Sequence, residues 1–238
     1  MSRLSVIALD GPSGVGKSTT AKAVAQALGW QYLDTGAMYR ATALALQRAG
    51  ADLADRAALE AVLAGLRIRQ AGTREFLGDE DVSDLIRTPE ITRMVTPVSA
   101  DGRVREVLVA QQRAIAGAGG WVVDGRDIGT VVFPDACCKL FLTASVEVRA
   151  RRRALELEAK GVPLPLAEVA ADIERRDLAD STRAVAPLRK AEDAVELDSG
   201  GMTLEEVVAW IVARHRGHAG PKLGGPGLPA AQPAFGWE

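Results

Sequence analysis

Asparagine is absent from this 238-residue chain, and cysteine (two), histidine (two) and aromatic side chains (4%) are scarce. Without asparagine there can be no Asn-Lys-x-Asp element, the device a guanine-reading switch needs. Two adjacent cysteines, Cys137 and Cys138, cannot make a metal site alone, and a bond between immediate neighbours is strained. They are expected to be small core residues in a reducing compartment. His215 and His218 lie far from every motif and are assigned no role. No apolar run approaches the ~20 residues that span a bilayer. The segment Met1-Ser2-Arg3-Leu4 lacks the apolar core of a secretory signal, so a soluble cytoplasmic protein is expected. An excess of one charge is also missing. Lys and Arg number 29 against 31 Asp and Glu, which excludes the strongly basic surface that grips a nucleic-acid polymer. A chain of this length buries its apolar surface without disulfide or metal staples. No long apolar stripe is left over once helices are assigned, so a monomer is expected.

Glycine is not scarce, and its placement is the most informative feature. Gly11-Pro12-Ser13-Gly14-Val15-Gly16-Lys17-Ser18 fits Gly-x4-Gly-Lys-[Ser/Thr]. It follows an apolar strand (Val6 to Leu9) and runs into an Ala-rich helix (Ser18 to Leu28) that stops at Gly29. In that setting the loop from Gly11 to Thr19 is a phosphate cradle. Its backbone N–H groups face a polyphosphate, Lys17 supplies a point charge, and the Ser18 hydroxyl is offered to Mg²⁺. A bound nucleoside triphosphate is expected.

Further short apolar segments at Gln31 to Leu33, Trp121 to Val123, Lys139 to Thr143 and Ala194 to Leu197 alternate with helical patterns. That alternation implies an α/β fold with a parallel sheet covered by helices on both faces. One domain is expected over residues 1–216, with two departures. Residues 66–92 carry alternating pieces and turn signals, which predict a small strand-rich insertion. Arg149 to Pro187 reads as helical and dense in arginine. Thr203 and Glu206 predict a capping box for a last helix facing inward through Val207, Val208, Ile211 and Val212. Residues 217–238, rich in Gly and Pro, are expected to lack structure.

A P-loop alone does not separate switch, motor and kinase. A small-molecule kinase needs a second anion site and a positive cover, and three groups qualify. Tyr39-Arg40 begins a helix. Asp124-Gly125-Arg126-Asp127 directly follows a strand, where ligands of open α/β sheets collect. The third group is Arg149, Arg152 and Arg153 with Arg176, Asp177, Asp180 and Arg183. On one helix, Arg176, Asp180 and Arg183 fall at i, i+4 and i+7, hence on one face. Each group also has a plain structural reading: solvated helix ion pairs for the arginines, a turn residue for Asp127, core packing for Tyr39. Other P-loop kinases and an ATP-binding regulatory module stay open on these residues alone.

Taken in order, four segments resemble the bacterial cytidylate (CMP) kinases: Leu9 to Ser18, Leu33 to Arg40, Val123 to Pro134, and Arg176-Asp177 through Asp180 to Leu188. The resemblance spans about Ser5 to Ile211. It implies a P-loop kinase fold with a five-stranded parallel sheet, a CMP-side insertion at 66–92 and an arginine-bearing lid at 160–187. The implied reaction converts ATP and CMP, or dCMP, into ADP and CDP, or dCDP, with Mg²⁺. By position, Arg40 lies near the CMP phosphate with Tyr39 and Thr35 beside it. Thr96, Arg105 and Asp127 match the group that reads cytosine, and Asp180 matches a ribose contact. Arg126, Arg176 and Arg183 match phosphate contacts and, with Lys17, catalysis. Arg152 and Arg153 are placed on the ATP side. Asp124 has two roles open, orienting the hydration shell of Mg²⁺ or holding a turn.

Overall fold

Val6, Ile7, Ala8 and Leu9 are all fully buried, as a central parallel strand with both faces covered requires. The computed structural model describes residues 4–159 and 161–217. In chain order its first half contains β1 (Leu4–Asp10), α1 (Lys17–Leu28), β2 (Gln31–Asp34), α2 (Thr35–Ala49), α3 (Arg56–Gly65), β3 (Ile68–Ala71), β4 (Arg74–Leu77), β5 (Glu80–Asp81) and α4 (Pro89–Ala100). There follow α5 (Gly102–Ala116), β6 (Trp121–Gly125), β7 (Ala136–Thr143), α6 (Val146–Ala159), α7 (Leu166–Thr182), β8 (Val195–Asp198) and α8 (Leu204–His215).

Five strands form one sheet in the order β2-β6-β1-β7-β8, and every pairing is parallel. Alternate residues of β1 feed two separate cores. Val6 and Ala8 pack with Met38, Ile91, Val98, Val104 and Leu108 of α2, α4 and α5. Ile7 and Leu9 pack with Ala21 and Val24 of α1 and with Val207 and Ile211 of α8. The expected capping box is present, with Thr203 Oγ1 accepting from the Glu206 N–H and Glu206 returning the bond. Gly29 closes α1 at φ 66. The tail beyond Gly217, expected to lack structure, lies outside the described residues.

Strands β3, β4 and β5 pair antiparallel as a small separate sheet. Gln70 ties it to the main sheet by donating to the Tyr32 carbonyl and accepting from the Asp34 N–H. Two expectations need correction. The insertion is not strand-rich to residue 92, because α4 begins at Pro89. Thr88 caps it and proline fills its first position, where a missing N–H costs nothing. Residues 149–187 are not uniformly helical either. Helix α7 ends at Thr182 and Arg183 is extended (φ −61, ψ 141), so Arg183 does not share a helical face with Arg176 and Asp180. The chain turns back through Ala186, at φ 50, and the Leu188 N–H reaches the Asp180 carbonyl at 2.8 Å.

Candidate active site

The carboxyl ends of β1, β2 and β6 lie side by side, with Leu9 and Asp34 both in register with Asp124. The loop from Gly11 to Ser18 rises from β1 at this edge. Gly11 is at φ +150, and a Cβ there would collide with the Leu142 carbonyl on β7. Gly16, at φ 94, precedes the first turn of α1, whose leading N–H groups have no carbonyl one turn back to bond. Lys17 is buried, and its Nζ donates to the Pro12 carbonyl at 2.7 Å. Burial, and then the nearby Arg126 guanidinium, push its pKa well below the usual lysine value. A buried ammonium under such pressure is poised for an anion. Thr19 is exposed at the start of α1.

Ser18 Oγ donates to Asp124 Oδ2 at 2.7 Å, and Tyr32 OH donates to Oδ1 at 3.1 Å. Burial, then the charge of Asp34, raises Asp124 to about 7. A hydroxyl and a carboxylate are hard oxygen donors of the kind Mg²⁺ selects. Among the described residues no cluster of three or more His, Cys, Asp or Glu could hold a metal.

Arg126, whose charge reaches Lys17, belongs to a group of guanidiniums. Arg40 donates from Nη1 to Thr92 Oγ1 (2.8 Å) and the Ile86 carbonyl (3.3 Å). Arg126 Nε donates to Asp180 Oδ2 at 2.7 Å. Burial, then Arg176, with Arg87 and Arg153 adding to it, lowers Arg40 to about 10. Arg176 is lowered by burial and then by Arg126, with a further push from Arg153. Buried guanidiniums that lower one another's pKa favour a nearby anion.

Beside this group Asp127 is buried between two arginines, Arg105 Nη2 on Oδ2 and Arg183 Nη2 on Oδ1 at 3.2 Å. Asp127 makes no capping bond to the turn it precedes, so the turn reading does not describe it. Tyr39 is buried, with its ring centroid 5.7 Å from the Arg105 guanidinium carbon; burial pushes its phenol up to about 12. Thr96 is half-buried on α4, and its carbonyl accepts from Ser99 Oγ while the Ser99 carbonyl accepts from Arg105. Thr35 spends its hydroxyl proton on the Asp124 carbonyl at 2.7 Å. Arg152 donates to the Ser199 carbonyl at 2.7 Å beyond β8, and Arg153 pairs with Glu156 one turn along α6.

A family model described as Cytidylate kinase matches residues 7–216. The chain belongs to the cytidylate kinase family. It is 50% identical over 222 residues to a cytidylate kinase of Geobacter sulfurreducens, covering 91% of this chain and 95% of that one. Against a cytidylate kinase of Syntrophotalea carbinolica identity is 49% over 212 residues, covering 87% and 90%. Against a bifunctional pantoate ligase/cytidylate kinase of Prochlorococcus marinus (strain MIT 9313) it is 51% over 218 residues, covering 89% of this chain and 43% of the other. The chain thus spans about half the length of the bifunctional relatives it matches. No helix among the described residues is long and apolar enough to cross a membrane.

Three site residues escaped the sequence reading. Thr92 supports Arg40; it lies four residues before Thr96, on the same face of a helix, and beginning that helix at Thr88-Pro89 would have found it. Tyr32 holds Asp124 and carries no local signal. Asp10, buried at the end of β1, accepts from the N–H groups of Ile128 and Gly129, both at 2.8 Å. It thereby pins the segment that presents Arg126 and Asp127, through a contact 118 positions away in sequence.

Proposed function

We propose that the chain transfers the γ-phosphoryl group of ATP to CMP or dCMP, giving ADP and CDP or dCDP. An oxygen of the acceptor monophosphate attacks phosphorus, and the bond from phosphorus to the β–γ bridging oxygen breaks. The acceptor is already an anion, so no general base is required. The barrier lies in bringing two phosphates together, which calls for alignment and charge neutralisation. The loop Gly11 to Thr19 and Lys17 hold the donor. Arg40, Arg126 and Arg176 receive the acceptor phosphate and, with Arg183, cap the transferring group. An arginine acting on a transferring phosphoryl group is worth roughly 10³–10⁵ in rate. Mg²⁺ supplies charge neutralisation on the donor phosphates when bound; Ser18 would hold it, with Asp124 orienting Ser18.

Asp127 accepts from the cytosine N4 amine, where uracil presents an opposing acceptor, and Thr96 and Arg105 complete the base contact. Tyr39, Thr35 and Asp180 line the sugar and phosphate, and Arg152 and Arg153 serve the donor side. In this reading residues 66–92 flank the CMP side, residues 160–187 close as a lid, and the enzyme is a cytoplasmic monomer acting on free nucleotides. The observation that carries the proposal is the buried Lys17 in its glycine loop at the end of β1, beside the β6 end that presents Arg126, held by Asp180, and Asp127, held by Arg105 and Arg183, and family membership supports it. Coupled ADP release across CMP, dCMP, UMP and AMP tests it. CMP or dCMP should give the highest kcat/KM, and equal rates with all four, or with none, overturn it.

A further inference from the structure

Arg149 and Asp177 stand out in the arginine-rich stretch, yet neither reaches the crevice chemistry described above. They meet the phosphate-binding loop instead. Asp177 Oδ1 accepts from the Ser13 N–H at 2.9 Å, across 164 positions of sequence. Its Oδ2 accepts from Arg149 Nη1 at 2.5 Å. The same Nη1 donates to the Ser13 carbonyl at 2.8 Å, and Arg149 Nε is fixed on the Ala144 carbonyl at 2.9 Å. Both backbone polar groups of Ser13 are therefore taken by side chains of α6 and α7. Packing repeats the contact: a Cβ on Gly14 would sit 3.5 Å from Ile173 Cδ1 and 3.6 Å from Arg149 Cβ. Ser13 and Arg149 are buried, so these charge-assisted bonds are shielded from competing water.

The neighbours of Asp177 on α7 reach Arg126, which the proposed function assigns to the acceptor. Arg176 belongs to the guanidinium group with Arg126, and Asp180 holds Arg126 Nε. One helix thus carries acceptor-side groups at 176 and 180 and a donor-side anchor between them. We propose that Asp177 is a positioning residue that links the acceptor site to the phosphate-binding loop, so that filling the acceptor site tightens the donor site. When α7 settles on the acceptor phosphate, the Asp177 carboxylate and Arg149 set the backbone of Ser13 and hence the loop that follows. A passive brace would instead fix donor affinity at one value whatever the acceptor does. The link is reciprocal, since coupling between two binding equilibria has the same size from either side. The inference rests on the two-nucleotide reading of the crevice.

The test measures the dissociation constant of a non-hydrolysable β,γ-imido analogue of ATP, with and without saturating CMP, by calorimetry. In the unaltered protein CMP should tighten the analogue by at least about fivefold. In Asp177→Ala, whatever the affinity of the analogue alone, CMP should no longer tighten it. Asp177→Asn, which keeps an acceptor for the Ser13 N–H but loses the charge facing Arg149, should fall between and serves if the alanine variant folds poorly. Tightening of the original size in both variants overturns the proposal. So does an equal loss of affinity with and without CMP, or no tightening in the unaltered protein. CMP titrated alone checks the acceptor assignment separately. Should CMP fail to bind, hydrogen exchange with the analogue alone still decides. In the unaltered protein it should protect the Ser13 amide and residues 166–182 together, and in Asp177→Ala the Ser13 amide only. The same protection in both proteins sinks the coupling.

Discussion

Replacing Asp127 with asparagine separates base reading from structure, because the two roles give different signals. Asp127, Arg105 and Arg183 have side chains only 6%, 3% and 5% exposed. Asparagine keeps the shape but leaves two buried guanidiniums facing a neutral amide. Breaking a buried ion pair costs about 3–5 kcal/mol. At roughly 2–4 °C per kcal/mol for a domain of this size, Tm should fall by roughly 6–20 °C. The catalytic effect is separate. Both carboxylate oxygens already accept from arginine, yet a carboxylate offers about four lone-pair sites, leaving room for the cytosine amine. A hydrogen bond to a charged group contributes about 1.5–3 kcal/mol, so kcat/KM for CMP should fall by roughly 10- to 150-fold. UMP gains nothing from Asp127 and should change little, which narrows the CMP/UMP ratio by a similar factor. Steady-state rates on both acceptors, well below the new Tm, provide the measurement. A lowered Tm with the CMP/UMP ratio unchanged within twofold would confine Asp127 to a structural role and refute the reasoning.

Three further outcomes follow from named contacts. Burial, partly offset by the bonds from Gly129 and Ile128, raises Asp10 from 3.8 to about 6. The folded state therefore holds its proton more tightly than the unfolded chain, and the stability this gives at low pH is lost as pH rises from about 4 through 6. The gap corresponds to about 3 kcal/mol. Relative to the unaltered protein, Asp10→Asn should gain about that much between pH 4 and pH 7 in urea unfolding, and a difference flat with pH would contradict the assignment. Ser18→Ala should weaken the apparent Mg²⁺ affinity at least about tenfold and, by taking a donor from the buried Asp124 carboxylate, cost about 1–3 kcal/mol; an unaltered Mg²⁺ titration would remove Ser18 from that role. Thr203→Ala breaks the capping box of α8 and should cost about 1 kcal/mol, or roughly 2–4 °C in Tm, at constant kcat. A change in kcat would mean that α8 reaches the site.

Features encoded locally were legible in the sequence. The strands of the parallel sheet announce themselves as short apolar runs, because a strand buried on both faces has no polar side to show. The loop around Lys17 was legible because its glycines answer to backbone geometry within eight residues. Thr203 and Glu206 signal their cap at a separation of three. Long-range choices were not legible. Nothing near Asp10 says that its carboxylate will meet the N–H groups of Ile128 and Gly129, and nothing near Asp177 points to Ser13. Polar partners of buried groups are fixed by packing, which periodicity does not report. The end of α7 was misread because Arg183 continues the helical spacing of Arg176 and Asp180. Its Nη2 instead reaches Asp127 and its Nε the Ala186 carbonyl, contacts made from an extended residue beyond the helix end. Thr88-Pro89 did carry a local signal, and turn-rich neighbours masked it.

Adenosine and cytidine joined through five phosphates would occupy both halves of the crevice at once. Its inhibition pattern and affinity test directly whether donor and acceptor face each other beneath the arginines. The molecule should compete with both ATP and CMP and bind roughly 10²–10⁴-fold more tightly than either nucleotide, as linked occupancy of two sites predicts. Competition with ATP alone, at an affinity no better than that of ATP, would contradict the account.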